Sequence, residues 1–249
     1  MNITIWNECS KDEQRRKVKK AYPRGMSEAI AEAFDKEDNI TIAHRLQEGQ
    51  GLPRELLENT DVLFYWAHCH HDEILDETAE RVVKRVKEGM GIVMLHSAHF
   101  SKIFKMLTNA SGSLKWREDS KHERLYNVRP THPIASGVPC QIYLPKEEMY
   151  GEPFDIGEYD DLIFTGWFCG GEIFRSGFTK SCGKGRMFYF QPGHETYPTY
   201  YNESIKKILN NAAKWTAGKE VEAKPYKVSK ECAYAVPLKR VFGKGKGDF

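Results

Sequence analysis

Two hydrophobic periods alternate along the chain. Ile3, Ile5 and Trp6 open an apolar strand over residues 3–6. After a charged stretch, Met26, Ala29, Ile30, Ala33 and Phe34 recur at the i, i+3, i+4, i+7, i+8 spacing of one helix face. Residues 39–43, rich in β-branched side chains, predict a second strand, and residues 52–57 carry a short helical signal. The continuous apolar run at 62–67 predicts a third strand of the fully buried kind. Ala79, Val82, Val83 and Val86 mark another amphipathic helix, Gly89 and Gly91 stand where it should end, and residues 91–95 predict a fourth buried strand. This βαβαβαβ order calls for parallel strands joined by crossover helices: a doubly wound α/β fold, mainly parallel, with helices on both faces.

The second half is less regular. Residues 114–145 contain the turns Pro130-Thr131-His132-Pro133 and Gly137-Val138-Pro139 and predict loops and edge strands decorating the sheet. Strands are predicted at 162–168, 172–178 and 186–190, the last two joined by a turn over 181–185, and Ile205, Ile208, Leu209, Ala212 and Ala213 predict a closing helix. One α/β domain over 1–217 is expected, followed by a basic tail over 218–249.

Composition narrows the function classes. The chain has 249 residues, with 37 Lys and Arg against 35 Asp and Glu, a net charge of +2 that excludes a generic polyelectrolyte binder. No apolar run approaches the roughly 18 to 20 residues that span a bilayer, so neither nucleic acid nor membrane is expected as a partner. The tail carries eight basic and four acidic side chains with no aromatic stacking array, which fits a solvated or subunit-bridging segment and the expectation of a homo-oligomer. Six dispersed cysteines without a CxxC pair read as reduced thiols, and the N-terminus has no secretion signal, so a cytoplasmic location is expected.

In an open parallel sheet the ligand crevice lies beyond the carboxyl ends of the strands. Here those ends carry Asn7 and Glu8, then His44, then His68, Cys69, His70 and His71, then His96, Ser97 and His99, and finally Gly193, His194 and Glu195. Seven of the nine histidines fall at such ends, and the topology brings His68, His96 and His194 together from three strands. Three imidazoles with a carboxylate suit Zn²⁺ or a related divalent ion with one position open, although no local HExxH-type spacing is present. His44 and His70 read as ordinary surface residues. Ser97 and Cys69 are alternative nucleophiles, Ser97 without the flanking glycines of a G-x-S-x-G elbow. The acidic segment Glu147-Glu148-Met149-Tyr150-Gly151-Glu152 and the stretch Gly170-Gly171-Glu172 with Arg175 suit hydrogen bonding to sugar hydroxyls, as Tyr150 and Trp167 suit stacking.

The stretches Trp6-Asn7-Glu8, residues 61–71, Gly91-Ile92-Val93-Met94-Leu95-His96-Ser97, residues 148–154, residues 170–177 and Phe188-Tyr189-Phe190-Gln191-Pro192-Gly193-His194-Glu195 resemble the ThuA-like, trehalose-utilisation family over about residues 1–217. The resemblance implies a flavodoxin-like domain similar to class I glutamine amidotransferases and a role on disaccharides or oxidised (keto) sugars. In the amidotransferase pattern a Cys occupies the elbow after a central strand; here His96-Ser97 stands there, which argues against glutamine hydrolysis. The leading expectation is a hydrolytic or eliminating carbohydrate enzyme, zinc-assisted, without a nucleotide cofactor. Its metal ligands are His68, His96, His194 and Glu8, its catalytic groups His96, Glu195 and Glu152, and its substrate-binding residues Asn7, Tyr150, Glu172 and Arg175. The alternatives are a non-catalytic sugar-binding or regulatory module and, third, a Cys- or Ser-dependent amidohydrolase.

Overall fold

The computed structural model describes residues 1–9, 16–222 and 224; the expected tail lies outside these except for residues 218–222 and 224. In chain order the elements are β1 (Asn2–Asn7), α1 (Arg16–Ala21), α2 (Met26–Ala31), β2 (Asn39–His44), α3 (Arg54–Glu58), β3 (Val62–Ala67), α4 (Asp76–Glu88), β4 (Gly91–His96), α5 (Lys102–Thr108), β5 (Lys115–Asn127), β6 (Gln141–Gly151), β7 (Asp161–Phe168), β8 (Ile173–Cys182), β9 (Gly185–Phe190) and α6 (Glu203–Thr216). All nine strands join one sheet in the order β2-β1-β3-β4-β9-β8-β7-β5-β6.

The period-two alternation of the central strands sorts their side chains onto two cores. Ile3, Ile5, Val62, Phe64, Trp66, Val93, Leu95, Phe188 and Phe190 face one layer, covered by α2 and α6. Trp6, Leu63, Tyr65, Ile92, Met94, Met187 and Tyr189 face the other, covered by α4 and α5. Each aliphatic side chain wholly buried in these layers contributes roughly 1.5–3 kcal/mol of transfer free energy. That is why strands apolar on both faces end up in the middle.

The expectation of a mainly parallel sheet needs correction. The pairings β1 with β2, β1 with β3, β3 with β4, and β4 with β9 are parallel. The pairings β5 with β6, β5 with β7, β7 with β8, and β8 with β9 are antiparallel. The loops and edge strands expected over 114–145 include β5 and the start of β6, which extend the sheet by a long hairpin at its far edge. Among the cysteines, Cys140 is disulfide-bonded, unlike the six reduced thiols expected. No helix among the described residues is long and apolar enough to cross a membrane. Strand order reverses between β1 and β3, so the crevice of the parallel half opens where their carboxyl ends meet those of β4 and β9.

Candidate functional site

Strand β4 delivers His96 in an unusual backbone conformation, φ 56° and ψ −125°, before a short 3₁₀ turn over Ser97–Phe100. An L-residue held there costs on the order of 1–3 kcal/mol and persists only where its surroundings fix it. They do so here. The Tyr189 hydroxyl donates to the His96 carbonyl at 3.0 Å, and the ring lies parallel to Trp66 and Tyr150. His96 Nδ1 lies 3.2 Å from the Gln191 carbonyl, which can only accept, so that nitrogen carries a proton and Nε2 is turned to the Glu148 carboxylate. The position is that of a nucleophile on a strand-to-helix elbow, with an imidazole in its place.

Two further histidines meet it. Ring centroids lie 5.2 Å apart for His68 and His96, 4.9 Å for His68 and His194, and 5.4 Å for His96 and His194. The Glu195 carboxylate stands 3.1 Å from His68 Nδ1 and 3.5 Å from His194 Nδ1. Burial works against the charged form of His68, but the neighbouring Cys69 thiol and Glu195 outweigh it and push the imidazole up to about 11. Burial likewise opposes the Glu195 carboxylate, yet His68 holds it down to about 2. Burial and the nearby His96 depress His194 to about 4, leaving a neutral ring.

The segment carrying His194 is shaped from behind. Gly193 has φ +133°, and a Cβ there would lie 2.0 Å from the Tyr200 hydroxyl oxygen, so no larger residue fits. Buried Glu147 accepts from the Gly193 and His194 amides at 3.0 and 3.2 Å and from the Thr199 hydroxyl at 2.8 Å, while Trp66 Nε1 donates to the Gly193 carbonyl. Burial raises the Glu147 carboxyl. The Thr196 amide donates to His194 Nδ1 at 3.2 Å and the Thr196 hydroxyl lies 2.9 Å from the same nitrogen, which leaves Nε2 facing the cleft.

One ligand atom from each of His68, His96, His194 and Glu195 lies within 4.8 Å of the others; His68, Glu118 and Glu148 form a second such group. Four buried atoms here, His96 Nε2, Glu148 Oε2, His194 Nε2 and Glu195 Oε2, have no hydrogen-bond partner beyond their histidine–carboxylate contacts within the cluster. Buried polar atoms are normally paired, and the three imidazoles with the Glu195 carboxylate form a donor set that fits a divalent cation. Glu148 is the newcomer: its Oε2 sits 3.1 Å from His96 Nε2, and despite burial, which favours the acid, His96 keeps its carboxyl below the ordinary range.

The other expected site residues are placed differently. Both Glu8 oxygens accept from the consecutive amides of His68, Cys69 and His70 at 2.7 to 3.1 Å, so Glu8 anchors the loop that carries His68. Asn7 Oδ1 accepts from the Cys9 amide. Glu152 is clamped by Arg175, Nε to Oε1 and Nη2 to Oε2 both at 2.8 Å, and Glu172 pairs with Arg117 at 2.9 Å; none of these four lines the cleft. Tyr150 does line it, hydrogen-bonded to Ser97. His70 pairs with exposed Glu73, and His99 is buried against the Gly112 carbonyl.

The cleft, about 500 Å³, is walled by Phe100, Leu114, Trp116, Tyr150 and Tyr197 around the polar cluster. Two residues of β5 reach it through an irregularity. Register runs from Arg117↔Met149 to Lys121↔Glu147, so the intervening residues of β5 bulge, with Ser120 at φ 56°. The bulge brings Glu118 to 3.9 Å from His194 Nε2 and Ser120 Oγ to 2.8 Å from the Tyr197 hydroxyl. Glu118 has no signal in the sequence pattern, because a bulge breaks the alternation that would reveal it, and Tyr197 has none because it lies in the loop after β9.

Comparison with known proteins places the fold and the family. Two ThuA-like proteins share the fold. The one from Parabacteroides merdae ATCC 43184 has TM-score 0.60 and 18% identity, covering 90% of this chain and 92% of that one. The one from Bacteroides uniformis ATCC 8492 has TM-score 0.62 and 12% identity, covering 86% and 90%. A glutamine amidotransferase from Thermotoga maritima is similar at TM-score 0.54 and 12% identity, covering 87% and 98%. At these identities the likeness concerns the fold alone. No curated protein matches the sequence. The family model ThuA, trehalose utilisation, matches residues 2–216, and the chain belongs to that family.

Proposed function

We propose that the protein is a carbohydrate enzyme that acts on a disaccharide or keto-sugar by hydrolysis or elimination, with a divalent cation, Zn²⁺ foremost, held by His68, His96, His194 and Glu195. The observation that carries this reading is the convergence of His68, His96, His194 and Glu195, one ligand atom of each lying within 4.8 Å of the others. The family description, trehalose utilisation, supports the substrate class. A cation bound there would polarise a sugar carbonyl or acidify a water. The chain's own groups supply the rest. His96 Nδ1, bonded to the Gln191 carbonyl, fixes the ring so that Nε2 stays against the Glu148 carboxylate. Glu148, at the cleft wall, takes a proton from the carbon beside a carbonyl or from water, and can return it to a leaving hydroxyl.

Plasma mass spectrometry of the purified, tag-free protein tests the reading, alongside His96→Ala and His194→Ala. Near-stoichiometric zinc in the wild type, lost in both variants, is the expected result. A protein that holds no metal after incubation with zinc and washing overturns the ion-assisted mechanism.

A further inference from the structure

Trp116 is more than half exposed, at 58%, although it lies in the wall of the cleft. Trp6, Trp66, Trp167 and Trp215 each stack on or tilt against another ring. Among the described residues Trp116 is the one tryptophan of the five without such a partner. Its place is fixed all the same: it pairs across the hairpin with buried Tyr150, and the bulge that aims Glu118 at His194 begins two residues later. An indole left wet, on a rigid strand, at the rim of a polar pocket, costs the free protein the burial it forgoes. Beside it the bulge supplies the Glu118 carboxylate and the Ser120 hydroxyl. This is the chemistry that recognises a pyranose, whose C–H face is apolar and whose rim is hydroxylated. A cleft of about 500 Å³ is within the range of small-molecule sites, roughly 300–1,000 Å³, and exceeds what one ring at the histidines needs.

We propose that Trp116 forms a second saccharide subsite: the non-reacting ring of a glycoside stacks on its indole, with Glu118 bonding the ring hydroxyls, while the reacting ring lies against the histidine cluster. Resting on the carbohydrate reading above, this makes Trp116 the residue that selects two-ring substrates over one-ring sugars.

Titration calorimetry of the full-length, zinc-loaded protein with trehalose and with glucose tests it, on the wild type, Trp116→Ala and Trp116→Phe. The wild type should bind trehalose more tightly than glucose. Trp116→Ala should lose about 10-fold in trehalose affinity and approach the glucose value, with glucose affinity and metal content unchanged. Trp116→Phe, which keeps an aromatic face, should retain most of the preference. Equal trehalose affinity in Trp116→Ala and wild type overturns the subsite while leaving the carbohydrate reading intact, as does an equal loss for both sugars. A wild type that binds neither sugar overturns both together. Because the indole is largely solvent-exposed, its truncation leaves no core cavity, and far-ultraviolet circular dichroism with the urea midpoint of each variant confirms that the fold is unchanged.

Discussion

Single atoms decide most of what this site can do. His96 Nε2 and Glu148 Oε2 lie 3.1 Å apart, both buried and with no hydrogen-bond partner outside the pair, an arrangement in which a proton can pass between them. Glu148→Gln keeps the shape and removes the charge. It should lower turnover by roughly 10²- to 10⁴-fold with a normal circular dichroism spectrum, measured on whichever two-ring sugar the wild type turns over; wild-type turnover in this variant would exclude Glu148 as the proton-transfer group. The sequence marked His68, His96 and His194 because each follows a buried strand. It could not separate Glu148 from Glu152 in one acidic run, since which carboxylate faces the cleft and which is taken up by an arginine depends on the course of β6 and on where Arg175 arrives from β8.

Elements hold those atoms in place. Two buried carboxylates act as brackets for the loops. Glu8 ties down three consecutive amides after β3, and Glu147 ties down the Gly193-His194 amides after β9. Glu147→Gln replaces one acceptor oxygen with a donor that faces N–H or O–H groups. It should cost about 1–3 kcal/mol of unfolding free energy in urea and weaken metal retention, because His194 loses its mooring. Gly193→Ala should be at least as damaging, since the added methyl collides with the Tyr200 hydroxyl oxygen while the backbone is forced to a positive φ. The β5–β6 hairpin shows why the far half of the sheet was hard to read. The first half of β5, Lys-Trp-Arg-Glu-Asp-Ser-Lys, is almost wholly exposed, so no hydrophobic period marks it, and its bulge shifts the phase before the buried residues begin. Propensity and alternation are weak signals where packing is one-sided and register is broken.

For the whole molecule, acid stability follows from imidazoles locked in neutral form. Burial depresses His132 to about 4 from 6.5 despite the opposing Asp161 carboxylate, and its Nδ1 accepts the Ile134 amide. Because the folded value is the lower one, the unfolded chain binds a proton first as pH falls. Stability from this group is complete above about pH 6.5 and is lost between there and about pH 4. His132→Asn keeps an acceptor for that amide and cannot titrate, so its urea midpoint should fall less than that of the wild type between pH 7 and 4; parallel curves for the two proteins would refute this. The sequence by itself determined the parallel half of the sheet and the histidines at its carboxyl edge. Runs apolar on both faces must be buried between helices, and residues that end such strands share one rim wherever the strands pair. Only the tertiary structure decided that the other strands add antiparallel, that Glu8 braces a loop while Glu148 faces the cluster, and that Trp116 and Glu118 overhang the cleft. Those outcomes rest on contacts between segments far apart in the chain, and no local period encodes which segments will meet.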